Sequence, residues 1–467
     1  MIERVFDNAV QPFGASLGCA TRQGINPDRR SSPIQFRSPM KIQALAPFRP
    51  FVARLRHAAT NDARSEVSAL LDGAAGEALR RAIGLTLRQQ VGAFFTPTAL
   101  ADRCLDELDE IPVPVIDPTC GAGDLLLAVA RRLPVRKSAA ATLTLWGKCL
   151  SGQDVVPEFV EAARLRLILL AMARTGDSID PNAGQKLLPN IKVGDALSTL
   201  RPNSVTGLLF MNPPFGSTTE FARHFNGTGR VARAGVFVDR AIDALKPGAT
   251  LAAILPDVLR SGTNYRSWRE SVPRRLLNVR VSVEGKFDPN TDVDVFTLIG
   301  QRKRRGTKES ESVDWYQTTD LAQGTPLAGA FDVRVGQIVE YRDPRCGTRR
   351  AFITVRDVNA GQIQTRIANN WPAGDRAVRP PFVAISRTSS PHDARRVQAS
   401  VIGGKRLVAV ENHIIVARPR SGHLADAVRL VEWLNSTSVT TYLQRRIRCR
   451  HLTVAVIKEL SWPGVTS

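Results

Sequence analysis

The chain has few cysteines and no close pair of them. Its six cysteines (Cys19, Cys104, Cys120, Cys149, Cys346 and Cys449) form no C-x-x-C pair, and its six histidines are scattered. That excludes a zinc framework and a disulfide-stapled secreted domain, and it fits a reducing cytosol. No apolar run approaches the roughly 20 residues that span a bilayer, and the start lacks the apolar core of a secretory signal. A cytoplasmic protein with no membrane partner and no metal is expected.

Acidic residues are scarce relative to basic ones. Across 467 residues, 64 Lys and Arg face 43 Asp and Glu, a net charge of +21. Such a balance calls for a polyanionic partner, and nucleic acid is the commoner one. The excess is uneven, because residues 301–467 hold 27 Lys and Arg against 14 Asp and Glu. The carboxyl-terminal third is therefore the expected docking surface, and its cations are mostly Arg, which forks onto phosphates and guanine edges.

The length suggests two or three domains. Residues 1–40 have no periodicity, mix Pro, Gly, Gln and Arg, and predict disorder. Residues 41–90 carry Val67, Leu70, Leu71, Leu79, Ala82, Ile83 and Leu85 at helical spacing. From 91 to 302 strand and helix patterns alternate, as a doubly wound, mostly parallel α/β sheet requires. Strands are expected at 113–116, 143–150, 191–193, 207–211, 250–255, 279–283 and 293–299, the last two closing the sheet as an antiparallel hairpin. A charged hinge, 302–312, leads to an α+β domain at 303–467, with strands at 353–355, 382–385 and 413–416 and helices at 424–435 and 439–447. No internal repeat is present.

Asn212-Pro213-Pro214-Phe215 follows the apolar run 208–211, so it falls at the carboxyl end of a buried strand, where open α/β sheets place their chemistry. The two prolines fix a stiff turn that holds the Asn212 amide and nearby carbonyls in one geometry. Two oxygen acceptors there can localise the lone pair of a nucleobase amine, which is otherwise delocalised into the ring. Phe215 adds a flat face to hold the base. The bland alternative is an ordinary strand-to-loop turn.

Asp117-Pro118-Thr119-Cys120-Gly121-Ala122-Gly123 joins the first strand to its helix, and small residues there let a ligand approach backbone amides. It departs from the dinucleotide fingerprint, since Leu126 stands where a third glycine belongs. Asp154 and Asp195 follow the next two strands. An acid in the first place can accept from both ribose hydroxyls, and one in the second from an adenine amino group. Either is equally suited to cap a helix.

Phe94-Phe95-Thr96-Pro97, Asp117 to Gly123, Asp154, Asp195 and Asn212 to Phe215, in this order, resemble the S-adenosylmethionine-dependent DNA adenine-N6 methyltransferases of restriction-modification systems. Cofactor motifs first and a recognition domain last resembles their gamma class, which includes type I modification subunits and stand-alone TaqI-like enzymes. The resemblance implies a Rossmann-like class I methyltransferase sheet of seven strands. It implies that Thr96 and Asp117 hold the methionine end of the cofactor, with Thr119, Gly121 and Gly123 beside it. Asp154 would bind the ribose and Asp195 the adenine. Asn212 and Pro213 would accept from the target amine, Phe215 would stack on the extruded base, and Phe287 would be a second aromatic against it. The 134–144 segment, which sets Asp154 37 positions beyond Asp117, departs from the family.

The partners expected are duplex DNA and a separate restriction endonuclease or specificity subunit. Arg445, Arg446, Arg448 and Arg450 form the densest basic cluster of the tail, read either as a phosphate grip or as a solvated helix end with favourable dipole interactions. Arg387 and His392 lie on a candidate recognition loop. No cysteine follows a proline as the cytosine-C5 enzymes require, and Cys120 reads as a packing residue. Competing readings are methyl transfer to another amine or amide (cytosine N4, a ribosomal RNA base or protein glutamine) and a catalytically silent DNA-binding subunit.

Overall fold

The computed structural model describes residues 46–464 apart from 62–63, 92, 219–230, 305, 308–311, 317–324 and 449. Residues 1–40, for which disorder is expected, lie outside the described residues, as do Cys449 and the hinge positions 305 and 308–311. The chain forms two compact units, residues 1–253 and 254–467. None of the described helices is long and apolar enough to cross a membrane.

The first unit opens with helices Arg49–Thr60, Arg64–Leu71, Ala74–Ala82 and Leu85–Val91. They bury Val67, Leu70, Leu71, Leu79 and Ile83, whereas Leu85 is 46% exposed. The strands that follow are β1 (Val115–Asp117), β2 (Leu150–Asp154), β3 (Ile191–Val193), β4 (Leu208–Met211), the short pair β5 (Ser217–Thr218) and β6 (Val231–Ala232), β7 (Thr250–Pro256), β8 (Leu276–Asp288) and β9 (Thr291–Arg302). Seven of them make one sheet in the order β3-β2-β1-β4-β7-β9-β8. Strand β1 pairs in parallel with β2 and β4, β2 with β3, and β4 with β7, while β8 and β9 are antiparallel. This is the doubly wound class that the alternating pattern predicts, closed by the expected hairpin.

Strand order reverses between β1 and β4, where Val115 faces Leu208 and Ile116 faces Leu209. Chain leaving neighbouring strands in opposite directions opens a crevice at their carboxyl ends. All four residues of β4 are fully buried. Full burial of such side chains is worth about 1.5–3 kcal/mol each, so the strand carrying Asn212 at its end is firmly anchored.

One expected strand is corrected. Residues 143–149 of the 143–150 reading belong to a helix, Ala139–Cys149, and the strand is Leu150–Asp154. The Ser138 side chain accepts from the Ala141 N–H and caps the helix, and three alanines follow it. Leu143 and Trp146, three apart, are fully buried, and Trp146 Nε1 donates to the Pro134 carbonyl at 3.1 Å. Strand β2 itself reads Leu-Ser-Gly-Gln-Asp, too polar to stand out beside an apolar helix. The 353–355 strand is corrected as well. It is β12 below, it ends at Ile353, and Thr354 then caps a 3₁₀ turn through reciprocal bonds with Asp357.

Besides β8 and β9, the second unit contains β10 (Thr325–Pro326), β11 (Phe331–Val335), β12 (Arg349–Ile353), β13 (Ile363–Gln364), β14 (Asn370–Pro372), β15 (Phe382–Ser386), β16 (Ala399–Ile402), β17 (Val408–Val410), β18 (Ile414–Pro419) and β19 (Ser461–Trp462). A five-stranded sheet runs β11-β18-β15-β16-β13, and a three-stranded one runs β14-β12-β17. Helices Leu424–Leu434 and Thr437–Arg446 pack Leu430, Leu434, Leu443 and their neighbours against the larger sheet. Arg260, fully buried, pairs with Asp257 at 2.6 Å and donates to the carbonyls of Trp315 and Arg445 at 2.9 Å each. Arg448 donates from its backbone to Asp257 and from Nε to Asp294 at 2.9 Å. These bonds tie residues 257–294 to the last helices and make them one body.

Candidate active site

The turn after β1 is built for close approach. Gly121 and Gly123 have φ of +50° and +86°, conformations that a side chain disfavours. A Cβ on Gly121 would lie 2.8 Å from the Phe95 ring, and one on Gly123 would lie 2.9 Å from the Ala163 Cβ. Gly123 thus serves the packing of helix Asp124–Arg132 against helix Pro157–Thr175, while Gly121 lines a cavity of about 320 Å³. Beneath the turn lies Arg166, fully buried. Its guanidinium donates to the carbonyls of Ala122 and Leu71 at 2.7 Å each and to Asp124 at 2.8 Å. Sequence reading passes over this residue, because an arginine within an apolar helix gives no local sign of the carbonyls it holds.

Four carboxylates, Asp117, Asp124, Asp154 and Asp195, line the cavity. Asp117 Oδ1 accepts the Thr119 N–H at 3.0 Å. Burial pushes its carboxyl up to about 8, opposed by that N–H and reinforced by the nearby charges of Asp154 and Asp124. Asp154 accepts from Val156 N at 2.9 Å and from Gly121 N at 3.2 Å. Asp195 Oδ1 accepts from Leu197 N at 3.0 Å and caps the turn Ala196–Thr199. The cap reading is therefore realised for Asp195, and both acids still face the cavity. Burial also pushes the Cys120 thiol well up, which makes it an inert packing group.

Asn212 closes the other end. Its Nδ2 donates to Thr96 Oγ1 at 2.9 Å and to the Phe94 carbonyl at 3.4 Å, so the carbonyl acceptor fixes which way the amide faces. Its Oδ1 is buried and has no partner among the described residues. Thr119 Oγ1 donates to the Asn212 carbonyl at 3.3 Å and ties the turn after β1 to the turn after β4. Phe215 is 5% exposed, and its ring stacks on Phe94 with centroids 5.7 Å apart and planes 24° apart.

Thr96, Asp117, Thr119, Gly121, Asp154, Asp195, Asn212 and Pro214 all line this one cavity. Gly123, Pro213 and Phe215 adjoin it through the same two turns without being lining residues. Phe94, Phe159, Gly194, Arg233 and Phe237 also line it and carry no role in the sequence reading. Arg233 and Phe237 are four apart on helix Arg233–Ala244, and that spacing is the signal available for them.

The other expected site residues belong to the second unit. Phe287 lies on β8 and is 3% exposed. Arg387 donates to the Asn412 carbonyl at 3.0 Å, and His392 Nε2 lies 3.7 Å from Asp294. Arg446 pairs with Glu459 at 2.6 Å and stacks 3.4 Å over the Tyr316 ring, and Arg448 is bound to Asp294. Arg445 and Arg450 are exposed.

Residues 73–305 match the model of the family described as N-6 DNA Methylase. The chain belongs to this family of DNA methyltransferases, and its cofactor is S-adenosylmethionine. The residues present fit that group. Its sulfonium and ammonium are positive, the cavity is lined by four acids, and burial holds Asp117 toward its neutral form with no cation against it among the described residues. No curated protein matches the chain. Among solved structures, the type IIG restriction endonuclease BpuSI is 13% identical over 86% of this chain and 61% of its own, with a TM-score of 0.40. The M protein of the type I restriction enzyme EcoKI is 16% identical over 52% of this chain and 54% of its own, with a TM-score of 0.33. A protein from Listeria monocytogenes assigned to the class I S-adenosylmethionine-dependent methyltransferases is 16% identical over 59% of this chain and 92% of its own, with a TM-score of 0.34. The chain thus spans little more than half the length of the two restriction enzymes.

Proposed function

We propose that the chain methylates the N6 amine of an adenine extruded from a specific duplex DNA site, as the modification component of a restriction-modification or related defence system. The observation that carries this reading is Asn212, whose amide nitrogen is held by Thr96 and Phe94 while its Oδ1 is buried without a partner among the described residues. A buried acceptor left unpaired costs about 1–3 kcal/mol, and a donor that completes it is bound correspondingly well. The amine of adenine is such a donor.

When bound, S-adenosylmethionine supplies a methyl group on a positively charged sulfur. Asp117, Thr96 and Thr119 hold its amino-acid end, Gly121 admits it against the backbone, and Asp154 and Asp195 take the ribose and the adenine. Asn212 Oδ1 and the Pro213 carbonyl would accept the two amine hydrogens, which localises the lone pair on the nitrogen and makes it a nucleophile. Alignment and electrostatics supply the acceleration, with no covalent enzyme intermediate. Base extrusion costs about a few kcal/mol, which contacts from the basic second unit would offset. In this reading residues 91–302 are the catalytic part and 303–467 the recognition part, with Arg387, Arg445 and Arg450 nearest to DNA. A separate endonuclease or specificity subunit would complete the system, and the cytoplasm is its compartment.

The test is methyl transfer from labelled S-adenosylmethionine to unmethylated duplex DNA, followed by nucleoside analysis and mapping of the modified positions. N6-methyladenine is expected from the parent, with a loss of at least about 10²-fold in Asn212→Ala, the scale for removing one preorganised polar group. Label on cytosine N4, or none on DNA despite cofactor binding, overturns the reading.

A further inference from the structure

We infer that one end of the small sheet β14-β12-β17 grips the backbone of duplex DNA, through cations that lie far apart in the sequence. The inference rests on DNA as the substrate and goes beyond it, since the family match covers none of residues 306–467. Pairing within the second unit draws four segments together there. Ala351 on β12 pairs with Val408 on β17, and Val408 exchanges both backbone hydrogen bonds with Val378, at 2.7 and 2.9 Å. Just before Ala351 stands Arg349, just before Val408 the turn with Lys405 and Arg406, and just after Val378, which runs the other way, Arg379. The fourth segment arrives through β13, where Gln364 pairs with Ile402 and its carbonyl accepts the Gly403 N–H at 2.8 Å. Arg366 therefore borders the same turn. Neighbouring strands stand about 4.8 Å apart, so these cations share one patch.

The charge of the patch is one-sided. Residues 345–350, 363–369, 376–382 and 399–410 contain eight Lys and Arg and no Asp or Glu, with Asp375 just outside the third segment. Three of the eight are engaged. Arg345 lies 4.4 Å over the Trp371 ring, Arg350 donates to the Gly374 carbonyl at 3.4 Å, and Arg376 pairs with Asp343 at 2.7 Å. Arg349, Arg366, Arg379, Lys405 and Arg406 are exposed and form no ion pair among the described residues. Elsewhere in the unit arginines meet acids, as Arg429 does with Asp426, Arg446 with Glu459 and Arg448 with Asp294. Like charges gathered in this way repel one another, a cost that a polyanion removes. The one aromatic of these segments, Phe382, is fully buried, so no ring is offered for an unpaired base to stack on. The patch thus fits the phosphates of a duplex, which arginine meets with a fork and without sequence preference.

The test is the salt dependence of DNA binding by the full-length protein, measured by fluorescence anisotropy on two short duplexes, one with the mapped methylation site and one without it. Arg349→Ala, Arg379→Ala and Arg406→Ala together should make log affinity against log salt shallower by about 2.7 on both duplexes. The corresponding lysine triple should keep the parent's slope. Alanine at Arg334, Arg356 and Arg420, which are exposed elsewhere on the unit, removes the same charge and should change the slope by less than about one. A first triple with the parent's slope overturns the inference and leaves the patch to an acidic protein or to solvent. An equal change in the control triple, a response confined to the site-bearing duplex, or a fall in melting temperature alongside the shallower slope also overturns it, by making the effect diffuse, base-specific or structural. A parent that makes no N6-methyladenine sinks the functional reading instead, and is told apart because that arm contains no variant.

Discussion

Cofactor affinity should depend on pH through Asp117, and the size of the effect follows from its burial. Its carboxyl is pushed up to about 8 in the ligand-free protein, whereas a cationic ligand needs it ionised. The competent fraction at pH 7 is then about one in eleven, and apparent affinity is reduced by that fraction. Between about pH 5.5 and 7 the dissociation constant for S-adenosylmethionine should fall about tenfold per pH unit. Isothermal titration in two buffers of different ionisation enthalpy should show about 0.9 proton released per cofactor at pH 7. Below about pH 7 the ligand's own amino group stays mostly charged, so the slope there belongs to the protein. 5′-Methylthioadenosine, which lacks both positive charges, should bind without that slope, and Asp117→Asn should bind S-adenosylmethionine weakly at every pH. A flat dissociation constant, equal slopes for both ligands, or a slope that survives Asp117→Asn would refute the reasoning. The same shift acts on stability. A carboxyl titrating higher in the folded than in the unfolded chain stabilises the fold fully below about pH 4, and that contribution is lost as pH rises to about 8. Thermal stabilisation by S-adenosylmethionine should therefore grow from pH 6 to pH 8.

Arg166→Met should destabilise the first unit by about 3–5 kcal/mol in urea unfolding, because it strands Asp124 and two buried carbonyls. A loss below about 1 kcal/mol would show that the turn does not depend on that clamp. In the tail, the paired alanine substitutions Arg445→Ala with Arg450→Ala should flatten the salt dependence of DNA binding by about two counterions. Arg446→Ala with Arg448→Ala should instead lower the melting temperature, since their guanidiniums are bound to Glu459, Tyr316 and Asp294. If the second pair flattened the salt slope and left the melting temperature unchanged, the division between gripping and bracing arginines would fail.

What could be read from the sequence was contiguous, and what could not was held by distant partners. The alternation of strands and helices and the turns after β1 and β4 are local patterns, and the sheet has the predicted class. Residues 143–149, the end of helix Ala139–Cys149, read as strand because a short apolar run fits either period, and the Ser138 cap is a one-residue signal. The arginines of the tail could be counted but not sorted. Arg448 meets Asp294 across 154 positions, and no spacing rule reaches that far. Phe94 was visible within its motif, yet its position against Phe215 depends on the crossover that brings residues 94 and 215 to one end of the sheet.

Two buried polar groups at the ends of neighbouring strands are left in costly states: Asp117, buried with its carboxyl pushed up, and Asn212, whose Oδ1 has no partner among the described residues. Asp117 is held neutral at pH 7 at a cost of about 4 kcal/mol relative to the unfolded chain. Asn212 Oδ1 forgoes a hydrogen bond worth about 1–3 kcal/mol of desolvation. A core built only for stability would have filled both places with apolar side chains. Each deficit matches a different ligand, a cation for Asp117 and an amine hydrogen for Asn212. Thr119 joins them, giving its N–H to Asp117 and its hydroxyl to the Asn212 carbonyl. Ionising Asp117 strengthens the first of those bonds and stiffens the turn that carries the second. Cofactor binding should then settle the acceptor before the base arrives, which makes the cofactor the favoured first ligand.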